Sequence, residues 1–93
     1  MMAGEGQMEA DLKEIAALFQ EAYRTLTTAK CRITAMAAFN RAQTMLDVLE
    51  KHPDPKVAGE IKKARAAVRA ALGKEKSIYR IMETYAAYWQ QAL

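Results

Sequence analysis

The sequence predicts an all-α protein, a small antiparallel bundle of three to four helices. Apolar residues recur at three- and four-residue steps along several stretches, which is the spacing of one face of a helix. Both prolines of the 93 residues lie in the segment His52-Pro53-Asp54-Pro55, where they divide the chain into two helical halves. With 52% hydrophobic and 27% charged residues, residues 8–93 fit a single domain.

The N-terminal residues and the cysteine count give expectations about location. Residues 1–7 contain neither the basic segment nor the apolar segment of a signal peptide, so we expect a flexible leader. The only cysteine, Cys31, has no partner for an internal disulfide, and we expect it to fill a small, half-buried space. A cytoplasmic location follows from these two features.

The first helix is predicted to begin at Met8 and to carry acidic residues in its first turns, where the helix dipole favours negative charge. Thr25, Thr27 and Thr28 interrupt the helical pattern and predict a turn near residues 27–30. A single helix over residues 8–51 is the alternative. It would be about 65 Å long and would imply an extended dimer. The apolar stripe of the first helix consists of Met8, Leu12, Ile15, Phe19, Ala22, Tyr23 and Leu26.

The stretch from Lys30 to Lys51 has apolar residues on two sides of a helix. Ile33, Met36 and Ala37 share one side, and Asn40 and Thr44 fall there too. A helix that is apolar on two sides packs against neighbours on both, so this pattern predicts the central helix of the bundle. The opposite side carries Ala35, Phe39, Ala42, Leu46 and Leu49.

The segment at residues 52–55 predicts the end of one helix and the start of the next. Pro53 forces His52 out of the α region, while Asp54 followed by Pro55 has the form of an N-cap and first helical residue. Gly73 is placed to end the helix that follows. The apolar stripe between these signals consists of Val57, Ile61, Ala64, Val68, Ala71 and Leu72.

The last segment, residues 74–93, contains four of the seven aromatic residues and predicts a helix whose apolar arc covers about half its surface. Such an arc needs either a groove between two helices or a second chain. Because Tyr and Trp combine a large apolar body with a polar tip, Tyr79, Tyr88 and Trp89 are candidate anchors for a protein partner. The alternative is that these residues complete the core of a domain with only two Phe.

The net charge of +3 is divided unevenly between the two halves of the chain. Residues 1–50 have five Lys and Arg against seven Asp and Glu, whereas residues 51–93 have nine against four. A basic second half suits an anionic partner, or an acidic surface of the chain itself. The candidate residues for an anionic partner are Lys62, Lys63, Arg65, Arg69, Lys74, Lys76 and Arg80.

The pattern of polar residues does not predict a catalytic, metal or cofactor site. His52 is the only histidine and has no Cys, Asp or second His at the spacing of zinc ligands, so we expect a solvated turn residue. The glycines do not form a phosphate-binding loop. We therefore expect no enzymatic activity, no cofactor and no small-molecule substrate.

These observations predict a non-catalytic protein-binding module: an adaptor, an inhibitor or a small assembly subunit that acts by occupying a surface. The alternative is a nucleic-acid-binding protein that uses the basic face of the helix after Pro55. A protein partner is expected, a homodimer and a nucleic acid are open alternatives, and no membrane is expected.

Overall fold

The computed structural model describes the backbone of residues 2–91 and the side chains of residues 7–91. The described chain contains four α-helices and no β-strand, so the predicted small all-α bundle is confirmed. The helices are α1 (Met2–Arg24), α2 (Arg32–Leu49), α3 (Pro55–Leu72) and α4 (Ile78–Gln91).

Helix α1 starts earlier than its apolar pattern predicts. It begins at Met2 and not at Met8, because a helix already fixed by buried side chains extends at little cost over neighbouring residues. Residues 2–7 of the predicted leader are therefore helical. The flexibility of this leader stays a prediction, and Met1 lies outside the described residues.

The predicted break between the first two helices is confirmed. A π-helical turn spans Thr25–Ala29, and Lys30 then takes a left-handed conformation with φ 54°. The Thr27 hydroxyl donates to the Tyr23 carbonyl (3.0 Å), and the Thr28 hydroxyl donates to the Arg24 carbonyl (2.6 Å). These bonds occupy backbone carbonyls at the end of α1, so the threonines help to end the regular helix.

The turn between α2 and α3 forms as its prolines predict. The Asp54 side chain accepts a hydrogen bond from the Lys56 backbone N–H at 2.9 Å, and Pro55 is the first residue of α3. The Asp54 N–H in turn donates to Nδ1 of His52 at 3.0 Å. His52 is therefore part of the turn and only half-exposed, where the sequence predicts a solvated residue.

Helix α3 ends as predicted, whereas α4 begins later than predicted. Gly73 follows Leu72 with φ 58°, and its N–H donates to the Arg69 carbonyl. Residues 74–77 form a connection, in which the Glu75 carboxylate accepts from the Ser77 N–H at 3.1 Å. The described part of α4 ends at Gln91.

The core lies where α1, α2 and α4 meet. Phe19 of α1 is fully buried, with its ring centroid 5.4 Å from Phe39 of α2, 5.0 Å from Tyr85 and 6.3 Å from Trp89 of α4. Contacts between aromatic rings at these distances stabilise a core beyond the area that they bury. One cluster of rings therefore holds three of the four helices together.

The central helix is α1, which corrects the prediction that residues 30–51 occupy this position. Helix α1 packs against both α2 and α4 along much of its length, whereas α3 touches α2 and α4 at fewer places. The prediction fails because most of the second apolar side of α2 has no neighbour: Ile33 is 84% exposed and Ala37 is exposed. Met36 on that side is partly buried against the core, and the side that carries Phe39 fills it.

Candidate protein-binding surfaces

Trp89, one of the three predicted aromatic anchors, belongs to the core. Its side chain is 2% exposed and lies between Phe19 and the ring of Tyr88, which is 5.9 Å away. Its Nε1 finds no hydrogen-bond acceptor among the described residues. This placement corrects the prediction, since the indole is covered by the protein itself and offers no area to a partner.

The two tyrosines occupy different positions on α4. Tyr88 is half-buried and packs at the edge of the core, so part of its ring is already used for folding. Tyr79, in the first turn of α4, is 49% exposed. Only Tyr79 therefore keeps a large exposed area of the three aromatic candidates.

Arg65 is committed to contacts within the protein. Its guanidinium donates to Gln43 (2.9 Å) and Asp47 (2.8 Å) on α2 and to Glu50 (2.8 Å), the residue that follows α2, and its side chain is only 13% exposed. Two carboxylates compensate its charge. Arg65 therefore attaches α3 to α2, which corrects its assignment to an anion-binding surface.

The other predicted basic residues are exposed. Arg80 lies 3.9 Å from the carboxylate of Glu75, a distance at which an exposed pair is weak. Within residues 7–91, the remaining five make no ion pair, and they lie on α3 and on the connection to α4. They are Lys62, Lys63, Arg69, Lys74 and Lys76.

The outer face of α2, which we define as Ile33, Ala37, Asn40, Thr44 and Val48, was not among the predicted binding residues. All five are exposed, Ile33 to 84% and Val48 to 65%. The sequence contained a signal for this surface, the second apolar side of α2. That side was interpreted as buried, because periodicity gives the direction of a side chain but not what lies there.

Cys31 lies at the N-cap position of α2 and is exposed, in contrast to its predicted half-buried position. Its Sγ is 3.0 Å from Oγ1 of Thr34. A hydrogen bond from the Thr34 hydroxyl lowers the pKa of the thiol, and the backbone N–H groups of Thr34 and Ile33 act in the same direction. The thiol is therefore exposed to solvent, and its pKa lies below that of an ordinary cysteine.

A groove of about 410 Å³ runs between the end of α1 and α4. Across it, the Gln20 amide donates to Gln90, and the Tyr23 hydroxyl lies 3.4 Å from a Glu83 carboxylate oxygen. Arg24 and Thr27 line the same groove. These side-chain contacts join α1 to α4 at the surface of the protein.

Comparison with protein-family models, with curated proteins and with solved structures finds no match for this chain. Among the described residues, no helix is both long and apolar enough to cross a membrane. The same residues contain no group of three or more His, Cys, Asp and Glu side chains placed to hold a metal ion.

Proposed function

We propose that this protein is a non-catalytic protein-binding module, and that the outer face of α2 is its docking surface. The observation that carries the proposal is the exposure of Ile33 and Val48 on a helix whose other side already fills the core. Burial of one such aliphatic side chain is worth about 1.5–3 kcal/mol. A partner that covers this face would bury Ile33 near one end of α2 and Val48 near the other, and each burial would favour binding.

The charges that border the outer face of α2 support its use as an interface. Arg41 pairs with Glu14 of α1 at 3.3 Å, and Asp47 pairs with Arg65 of α3 at 2.8 Å. Each of these two charges therefore has a partner within the protein, although Arg65 is shared between Asp47 and Glu50. An internal partner offsets part of the desolvation cost when another protein covers the face.

The exposed thiol of Cys31 supports a cytoplasmic location for this module. A free cysteine with a lowered pKa is readily oxidised, and thiols persist mainly in reducing compartments.

Site-specific photo-cross-linking in cells that produce the protein tests the docking surface. A photoreactive amino acid replaces Ile33 in one sample and Ala70, exposed on α3, in the matched control. We expect position 33 to give one discrete cross-linked protein, identified by mass spectrometry, that position 70 does not give. Absence of any protein adduct at position 33, or identical adducts at both positions, would contradict the proposal.

Nucleic-acid binding is the second candidate function, and one observation favours it. Five of the predicted basic residues, on α3 and the following connection, have no ion-pair partner within the described part of the chain. An uncompensated basic surface attracts phosphates without regard to sequence, and this attraction falls steeply with salt.

A titration against labelled single- and double-stranded nucleic acid at about 50 and 200 mM salt tests this candidate. The informative variant is Lys62→Glu with Arg69→Glu, because both side chains are exposed, whereas Arg65→Glu would disrupt the contact between α3 and α2. Weaker binding by this variant and at the higher salt supports the candidate. Unchanged binding by the variant removes the basic surface from consideration.

A further inference from the structure

We propose that the partner for the outer face of α2 is a second copy of this chain, bound in an antiparallel orientation. This inference rests on the proposed function and names the partner for the same surface. In a two-fold dimer the same patch is used twice, so residues must be arranged symmetrically about the centre of the patch. Four of the five residues that define the outer face of α2 have this arrangement.

The symmetry is visible in the spacing of the exposed residues. Ile33 lies eight residues before Arg41, and Val48 lies eight residues after Asn40. Ala37 lies four residues before Arg41, and Thr44 lies four residues after Asn40. When two copies of α2 run antiparallel with their centres between Asn40 and Arg41 aligned, Ile33 of each copy lies level with Val48 of the other.

The two large side chains stand at the ends of this face, and small ones lie between them. Ile33 and Val48 are about 22 Å apart along the helix. Ala37 and Thr44 lie near the middle, where small side chains let two helices approach closely. The Thr44 hydroxyl donates to the Asn40 carbonyl at 3.0 Å, so it can be buried without losing its hydrogen bond.

The charged side chains near the outer face of α2 do not prevent this antiparallel contact between two copies. Arg41 and Asp47 are paired within each copy. Lys30 and Lys51 lie beyond the two ends of α2, and these exposed side chains can extend into solvent. Salt screens like charges, so dimerisation should not weaken between about 50 and 200 mM salt, in contrast to nucleic-acid binding.

Sedimentation equilibrium of the full chain and three charge variants tests the dimer and its orientation. We expect Ile33→Asp alone and Val48→Lys alone to raise the dimer dissociation constant roughly tenfold or more. The double variant Ile33→Asp with Val48→Lys should recover most of the affinity, because the antiparallel register places each Asp beside a Lys. Both positions are exposed, so circular dichroism should show an unchanged fold for every variant.

The matched control is Tyr79→Lys, a change of an exposed side chain on α4 that should leave the dissociation constant unchanged. A double variant as weak as the single variants would overturn the antiparallel pairing. A chain that stays monomeric at about 1 mM, where even the weakest specific pairs associate, would overturn the homodimer.

Failure of the homodimer and failure of the docking surface give different results in the photo-cross-linking experiment. A homodimer gives an adduct of position 33 with a second copy of the chain. A monomeric chain whose position 33 cross-links a different protein overturns the homodimer but supports the docking surface. A monomeric chain without any adduct at position 33 contradicts both.

Discussion

Cys31 shows how hydrogen bonds at the start of a helix change the chemistry of a residue. As the N-cap of α2, its sulfur faces the backbone N–H groups of the first helical turn and the hydroxyl of Thr34. These donors stabilise the thiolate more than the thiol, so the pKa of Cys31 lies below its ordinary value. More thiolate is therefore present near neutral pH than in an unstructured peptide.

Replacement of Thr34 by valine should slow the alkylation of Cys31 near pH 7. The isosteric change removes the hydroxyl donor, so the pKa rises and the thiolate fraction falls. The measurement is the rate of reaction with iodoacetamide as a function of pH. At about pH 10, where the thiol is largely ionised in both proteins, the rates should converge. Equal rates at about pH 7 would show that Thr34 does not set the thiol pKa.

At the scale of a residue, Arg65 and Trp89 show that the periodicity of one helix does not predict which other helix a side chain contacts. Arg65 was assigned to a basic surface because its acceptors on α2 lie 15 to 22 positions away in the chain. Trp89 was assigned to an interface because its helix has a wide apolar arc, yet the ring reaches Phe19 on α1. Both assignments depended on which helices become neighbours, and the pattern within one helix does not contain that information.

At the scale of an element, the ends of the helices were predictable because local chemistry determines them. Asp54 and Pro55 start α3, and Gly73 ends it. The start of α4 was placed too early, at Lys74 in place of Ile78, because residues 74–77 lack a proline or a second glycine. Their turn depends on the contact of Glu75 with the backbone of Ser77, which residue preferences alone do not reveal.

Gly59 lies inside α3, and Gly73 directly follows it. Replacement of these two glycines by alanine should change the free energy of unfolding in opposite directions. At Gly59, inside α3, a Cβ would meet nothing within 4 Å, so alanine should raise the free energy of unfolding by about 0.5–1 kcal/mol. Gly73 has φ 58°, which L-residues rarely adopt, so alanine there should lower it by about 1–2 kcal/mol. Urea denaturation measures both values, and changes of the same sign would contradict these assignments.

Replacement of Arg65 by methionine should lower the free energy of unfolding by about 1–3 kcal/mol. The change keeps most of the aliphatic length but leaves the partly buried carboxylate of Glu50 without its partner. The matched control is Arg69→Met on the exposed side of α3, with an expected effect within about 0.5 kcal/mol. Equal effects of the two changes in urea denaturation would remove the special role of Arg65.

At the scale of the whole molecule, stability is unevenly distributed. The ring cluster around Phe19 joins α1, α2 and α4, whereas α3 contributes only Ile61 and Val68 as buried residues. The sequence predicted a bundle with α2 at its centre, and the class of fold was correct. The order of packing was not predictable, since two helices with similar apolar stripes compete for the central position and tertiary contacts decide between them.

Amide hydrogen exchange should be faster in α3 than in α1. Regions with few buried contacts open with less free energy than the core, and α3 is attached mainly through Arg65 and two aliphatic side chains. Exchange measured residue by residue under native conditions tests this difference. Equal protection of α1 and α3 would show that all four helices open as one unit.

The central claim is that copies of this chain associate with each other through the outer face of α2. A dilution series of amide NMR spectra of the unaltered, ¹⁵N-labelled chain, from about 1 mM to 10 μM, tests it most directly, because each amide reports on its own surroundings. We predict that the signals that shift with concentration cluster at Ile33, Ala37, Asn40, Thr44 and Val48. Shifts centred on Tyr79 and Tyr88 of α4, or an absence of concentration dependence, would contradict the account.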